Sequence, residues 1–206
     1  MIRSAQAGGV WTVTLDRPEK ANSLTADMLE ALAEVGDAAG QAQARALILT
    51  GAGRVFSAGA DLEAARAGLA TSPLWEALSG RLAAAQYLTI AALNGTLAGG
   101  AFGMALACDL RLSVPQARFF YPVMKLGFLP QPSDPARLAA LIGPARAKMI
   151  RMAGASIEAE EARDWGLVDR ICPPDTLLQE AHALAQPASM ASPAHIAAIK
   201  GLVGGR

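Results

Sequence analysis

The sequence predicts an α/β fold, a core built on a largely parallel sheet and followed by a helical C-terminal part. Three observations carry this. Strand-like runs alternate with segments of helical period, the pattern of βα units. Two of the runs, residues 46–50 (ALILT) and 89–93 (TIAAL), are almost wholly apolar, as strands covered on both faces are. Beyond Pro173-Pro174 only helical patterns remain. The division falls there, with residues 1–174 as the α/β core and 175–206 as a short helical segment.

Taken in order, residues 10–15 (VWTVTL) alternate apolar and polar, as a half-buried strand does. Arg17-Pro18-Glu19-Lys20 ends it. Ser23 and Thr25 offer N-caps to a helix whose Met28, Leu29, Leu32 and Val35 share one face. The buried strand 46–50 ends at Gly51, and residues 55–62 leave it through a small-residue turn into a helix over 63–68. A helix over 73–87 follows, with Leu74, Leu78, Leu82 and Ala85 on one side, and then the buried strand 89–93. Gly99-Gly100 opens a helix over 101–108, and residues 110–113 read as a strand. Residues 121–134 are rich in turn formers: Pro122, Gly127, Pro130 and Pro132. Helices are expected at 135–141, 145–152 and 158–165, a strand at 168–171, and a closing helical pair at 176–185 and 193–203.

Bulk properties exclude several classes. Eighteen basic and eighteen acidic residues cancel, so no long-range field favours nucleic acid or an anionic membrane surface. The longest apolar stretch, 88–106, is interrupted by Asn94, Gly95, Gly99, Gly100 and Gly103, which argues against a membrane span. Two well-separated cysteines, Cys108 and Cys172, do not make a disulfide framework and suit a reducing cytoplasm. The opening residues MIRSAQAGGV lack a signal-peptide core. A dinucleotide fingerprint after the 46–50 strand fails on spacing. Gly51-Ala52-Gly53 is followed by Phe56 where the third glycine belongs.

Four runs carry chemistry. They are residues 15–24 (LDRPEKANSL), 49–62 (LTGAGRVFSAGADL), 94–110 (NGTLAGGAFGMALACDL), and 157–162 with 165–169 (IEAEEA, WGLVD). Small residues at Ala58, Gly59 and Ala60 let a ligand approach the main chain. Gly99 and Gly100 at a helix start leave N–H groups without partners. Their order and spacing resemble the enoyl-CoA hydratase/isomerase (crotonase) family.

The resemblance implies a crotonase-like (ClpP/crotonase) spiral of ββα units. It also implies an acyl-CoA substrate, with coenzyme A entering as part of that substrate and no permanently bound cofactor, and a homotrimer or a dimer of trimers. It implies that the N–H groups of Ala58 and Gly100 form an oxyanion hole, and that Lys20, Ala21, Ala58, Ala60 and Asp61 lie along the CoA. By residue chemistry Asp61 and Asp109 read as structural, ordering a turn and an element end.

Two departures stand out. Hydratases of this family carry a glutamate three residues after the oxyanion glycine and a second in an "FxxPE" segment; here those positions hold Gly103 and Val123. A third family position, an acid in some isomerases, corresponds to Gln131. Candidate replacements are Tyr121, as a donor from the pocket wall, and Asp134, which reads most simply as an N-cap ahead of Pro135 and otherwise as a relocated carboxylate. Neither His182 nor His195 falls in a family motif. The family usually continues past the segment matching residues 192–200, so an open site, or one closed by a neighbour, is expected. The expected activity is enolate chemistry without the glutamate pair, decarboxylation of a malonyl-type thioester first and double-bond isomerisation next. The alternative is a catalytically silent crotonase-fold binding or assembly subunit.

Overall fold

The computed structural model describes residues 1–204. Its strands are β1 (Ile2–Ala7), β2 (Val10–Leu15), β3 (Ala46–Gly51), β4 (Val55–Ser57), β5 (Leu88–Leu93), β6 (Thr96–Ala98), β7 (Leu110–Ser113), β8 (Arg118–Phe120), β9 (Ile157–Glu158) and β10 (Arg170–Ile171). Its α-helices are α1 (Ala26–Gln41), α2 (Leu62–Arg66), α3 (Leu74–Ala84), α4 (Phe102–Ala107), α5 (Val123–Leu126), α6 (Asp134–Ile142), α7 (Pro144–Arg151), α8 (Ala159–Trp165), α9 (Leu177–Ser189) and α10 (Pro193–Val203). Short 3-10 turns occupy Pro18–Lys20, Leu69–Thr71 and Gly99–Ala101.

The strands form two sheets. The larger runs β1-β2-β3-β5-β7-β10 and the smaller β4-β6-β8-β9. From β2 onward the larger sheet is parallel, Val13 lying opposite Leu49 and Leu49 opposite Ala91. Only the β1–β2 hairpin is antiparallel there, and only β8–β9 in the smaller sheet. The chain therefore climbs as a spiral. Each turn lays one long strand in the first sheet (β3, β5, β7), one short strand in the second (β4, β6, β8), and then a helical segment.

Sequence explains the two faces of the larger sheet. Val13, Leu47 and Leu49 meet Leu32 of α1, Leu78 and Leu82 of α3, and Met104 of α4. On the other face α9 packs across β2, β3, β5 and β7 through Leu177, Ala181 and Ala185. Leu15, Ile48 and Ile90 are wholly buried, and each such side chain contributes roughly 1.5–3 kcal/mol. The α1 start is as expected: the Thr25 side chain accepts from the Met28 N–H. The strand expected over 168–171 is shorter, because the Val168 N–H donates to the Ala162 carbonyl of α8 and the Asp169 carboxylate takes the Arg111 N–H of β7. Both cysteines are free and buried, and burial pushes the Cys108 thiol up to about 12. No helix among the described residues is long and apolar enough to cross a membrane.

Candidate active site

The site grows from two loops that leave the smaller sheet side by side. The first follows β4 and carries Ala58-Gly59-Ala60. Asn22, wholly buried, anchors it. Its Oδ1 accepts from the Arg17 N–H (2.9 Å), and its Nδ2 donates to the carbonyls of Ala52 (2.9 Å) and Val55 (2.7 Å). The Ser57 hydroxyl donates to the Asn22 carbonyl (2.8 Å), the Leu24 N–H to the Gly59 carbonyl (2.8 Å), and the Asp61 N–H to the Leu24 carbonyl (2.9 Å). The second loop follows β6 and is the Gly99–Ala101 turn that leads into α4. Gly59 has φ +90°, and a Cβ there would lie 3.0 Å from the Ala98 carbonyl oxygen and 3.3 Å from the Gly100 nitrogen. Only glycine lets the loops approach this closely.

Between them lies a cavity of about 180 Å³, lined by Ala58, Ala60, Gly99, Gly100, Trp75, Tyr121 and Gln131 among others. The expectation named Ala58 as one donor into it. In the structure the Ala58 N–H donates to the Ala21 carbonyl at 3.0 Å, so it is not free to point into the cavity. Ala60 bridges Leu24 only through its neighbours Gly59 and Asp61, so its own N–H faces away from that bridge and has no partner among the described residues. The Gly100 N–H, in the first turn of a helix, is likewise free.

The other expected residues fall into two groups. Lys20 is exposed, and neighbouring Ala21 takes a left-handed conformation (φ 50°) that aims its carbonyl at Ala58. Asp61 caps α2, accepting from the Glu63 (3.0 Å) and Ala64 (3.3 Å) N–H groups, and pairs with Arg17 at 2.8 Å. The Ala64 N–H and the Arg17 guanidinium hold its carboxyl below the usual range. Lys20, Ala21 and Asp61 thus frame the loop rather than line the cavity. Asp109 ties β5 to α10, accepting from the Thr89 N–H (2.8 Å) and Lys200 Nζ (2.7 Å).

Tyr121 does line the cavity. Its ring stacks on Phe102 with centroids 5.7 Å apart, the Arg151 guanidinium lies 4.3 Å over its face, and its hydroxyl donates to Gln131 Oε1 at 3.0 Å. Burial pushes that hydroxyl up to about 12. Asp134 is not the N-cap expected of it. Ser133 takes the cap position, its N–H and hydroxyl both donating to Glu76, and Asp134 becomes the first residue of α6 with its side chain turned inward. There it is wholly buried, 3.8 Å from Arg151 Nη2, with no hydrogen bond to either oxygen. Burial raises its carboxyl to about 6 against the pull of Arg151 and Arg137. It stands behind the cavity wall. His182 contacts Thr12 (3.2 Å), and His195 borders a separate cavity of about 720 Å³ beside α10. Sequence reasoning missed Trp75, whose ring would be 3.2 Å from a Cβ at Gly100, and Arg151, a charge set among the buried residues of α7.

This spiral of paired sheets, with two unpartnered N–H groups opening on one cavity, defines a crotonase-fold protein. The enoyl-CoA hydratase/isomerase family profile matches residues 5–204, and the chain belongs to that family. It is 35% identical to a putative enoyl-CoA hydratase of Thermus thermophilus, over 96% of this chain and 81% of that one. It is 37% identical to a carnitinyl-CoA dehydratase of Salmonella arizonae, over 97% and 78%. An enoyl-CoA hydratase from Bacillus anthracis superposes with a TM-score of 0.91 at 31% identity, covering 98% of this chain and 82% of the other. An enoyl-CoA hydratase/isomerase from Pseudoalteromonas atlantica gives 0.92 at 27%, over 99% and 82%.

Proposed function

We propose that this protein binds an acyl-CoA thioester, stabilises its enolate with the Ala60 and Gly100 N–H groups, and is not a standard hydratase. The single observation that carries the reading is the chemistry of the lining. It has two free main-chain donors and no Asp, Glu or His among the residues that form it. Adding water across a C=C needs a base for the water and an acid at the α-carbon, and these supports are absent. Donors aimed at a developing oxyanion are worth about 3 kcal/mol each without any side chain.

Decarboxylation of a malonyl-type thioester fits that equipment. The bond from the α-carbon to the carboxylate breaks and its electron pair forms the enolate, whose oxygen rests on the two N–H groups. CO₂ leaves, solvent water gives a proton to the α-carbon, and the carbonyl reforms. Isomerisation, with Asp134 as the relocated acid, ranks second because that carboxyl does not reach the cavity surface. Coenzyme A enters as part of the substrate, and the family resemblance supports a homotrimer. The same lack of lining carboxylates favours one rival, a catalytically silent binding subunit.

The test uses purified protein with crotonyl-CoA and malonyl-CoA. Hydration should be undetectable, or at least ~10³-fold below an ordinary family hydratase, while malonyl-CoA releases CO₂. Ligand at 100 times its dissociation constant should stabilise the fold by about 2.7 kcal/mol. Hydration at ordinary rates would overturn the reading. Binding without turnover of any thioester would establish the silent subunit.

A further inference from the structure

The cavity's side-chain polarity reduces to one group. Three side chains in its lining carry a hydrogen-bonding N–H or O–H: Trp75, Tyr121 and Gln131. The Trp75 indole N–H is committed to the Leu69 carbonyl at 2.8 Å. The Tyr121 hydroxyl is committed to Gln131 Oε1 at 3.0 Å. Gln131 Nε2 donates to nothing among the described residues, and it is not among the buried polar atoms left without a partner, so it keeps accessible surface. The residue is 8% exposed and belongs to the cavity lining, where the remaining side chains are alanine, leucine, phenylalanine and proline.

The amide is also held still. Tyr121 is 1% exposed, with the Phe102 ring stacked on it and the Arg151 guanidinium over its ring. A buried, packed phenol anchors the Oε1 it bonds, and an anchored Oε1 restricts the direction of Nε2. Arg151 is matched by Asp134 at 3.8 Å, and Arg137 and Glu76 also act on that carboxyl, so the far end of the cavity carries a donor and little net charge.

We infer that the Gln131 side-chain amide, aimed by the Tyr121 hydroxyl, is the specificity donor of this site, and that it selects an acyl thioester bearing a second oxygen acceptor on its acyl group. This rests on the thioester reading above. The space, about 180 Å³, suits a short acyl group. An apolar acyl chain filling it would strip water from Nε2 and return no acceptor, and a donor left unpaired in that way is a strong basis for rejection. A ketone and a carboxylate share the chemistry that Nε2 recognises, so the experiment separates them.

Dissociation constants for malonyl-CoA, acetoacetyl-CoA and butyryl-CoA are measured by calorimetry on the wild type, Gln131→Leu and Tyr121→Phe. The wild type should bind one or both oxygenated thioesters roughly tenfold or more tighter than butyryl-CoA. Gln131→Leu should erase that preference while keeping butyryl-CoA binding, which also reports that the variant is folded. Tyr121→Phe should reduce the preference in part, because the amide loses its guide but not its donor. A preference for malonyl-CoA alone identifies the carboxylate, and one shared with acetoacetyl-CoA identifies the carbonyl oxygen. Equal binding of all three by the wild type, or a preference that survives Gln131→Leu, overturns this inference alone. Failure of all three to bind overturns the thioester reading and this inference with it.

Discussion

A Cβ added at Gly103 would lie 3.0 Å from Asp134 Oδ1, 3.4 Å from Oδ2 and 3.6 Å from Cγ. The carboxyl of α6 therefore stands where a side chain from α4 would begin, and the two positions are coupled. Placing a methyl there forces Asp134 aside, an overpacking cost of about 1–3 kcal/mol against a helix-propensity gain of about 1. Gly103→Ala should thus be neutral to destabilising in the wild type. In an Asp134→Ala background it should stabilise by about 1 kcal/mol, as measured by urea denaturation of the four proteins. Identical effects in both backgrounds would show that the positions are independent. The same contact means that a glutamate introduced at 103 must first displace the Asp134 carboxyl. None of this was legible in the sequence, where Ser133-Asp134-Pro135 has the local pattern of a helix cap. The pattern lost to a tertiary contact, because Glu76 of α3 binds Ser133 and turns Asp134 inward.

At the level of elements, most strands of the larger sheet and most helices were legible, and the short strands of the second sheet were not. Residues 10–15, 46–50 and 89–93 bury enough apolar surface to show a pattern. The second sheet escaped because β4, β6 and β8 have three residues each and β9 two, too few for alternation to register. β1 escaped for a different reason: it is an edge strand whose residues after Ile2 are all exposed. Yet the short strands launch the two site loops, and their placement depends on side chains such as Asn22. That residue makes three hydrogen bonds, one within the turn after β2 (Arg17 N–H), one to the β3–β4 loop (Ala52 carbonyl) and one to β4 (Val55 carbonyl). Asn22→Ala leaves the half-buried Arg17 N–H and Ala52 carbonyl without this partner, Val55 keeping only the Asn94 amide at 3.4 Å, and should cost about 2–4 kcal/mol, with weaker acyl-CoA binding as the Ala58–Ala60 loop loosens. Denaturation midpoints and calorimetry on the variant check this. A loss below about 1 kcal/mol would mean that the loop is held elsewhere.

Across the whole molecule, packing is uneven. α9 is seated on the larger sheet, whereas α10 has no buried residue and is tied down by Lys200, which donates to Asp109 (2.7 Å) and to the Tyr87 carbonyl (3.0 Å). Ile199, Leu202 and Val203 on α10 are exposed, as are Leu62, Met124, Leu126 and Leu129 around the α2 and α5 side of the cavity. Apolar groups gathered in this way are what an assembly covers. Light scattering at micromolar concentration should therefore return three chain masses, and a stable monomer would refute the proposed trimer. The position of Trp75 has one more consequence. Of three tryptophans, Trp11 lies within β2, Trp165 on α8 has the Arg146 guanidinium 5.5 Å over its ring, and Trp75 alone borders the cavity. An arriving thioester changes the surroundings of a single indole and leaves the other two as they were. The protein thus carries its own optical gauge of occupancy, read as a shift in intrinsic emission that Trp75→Phe would silence.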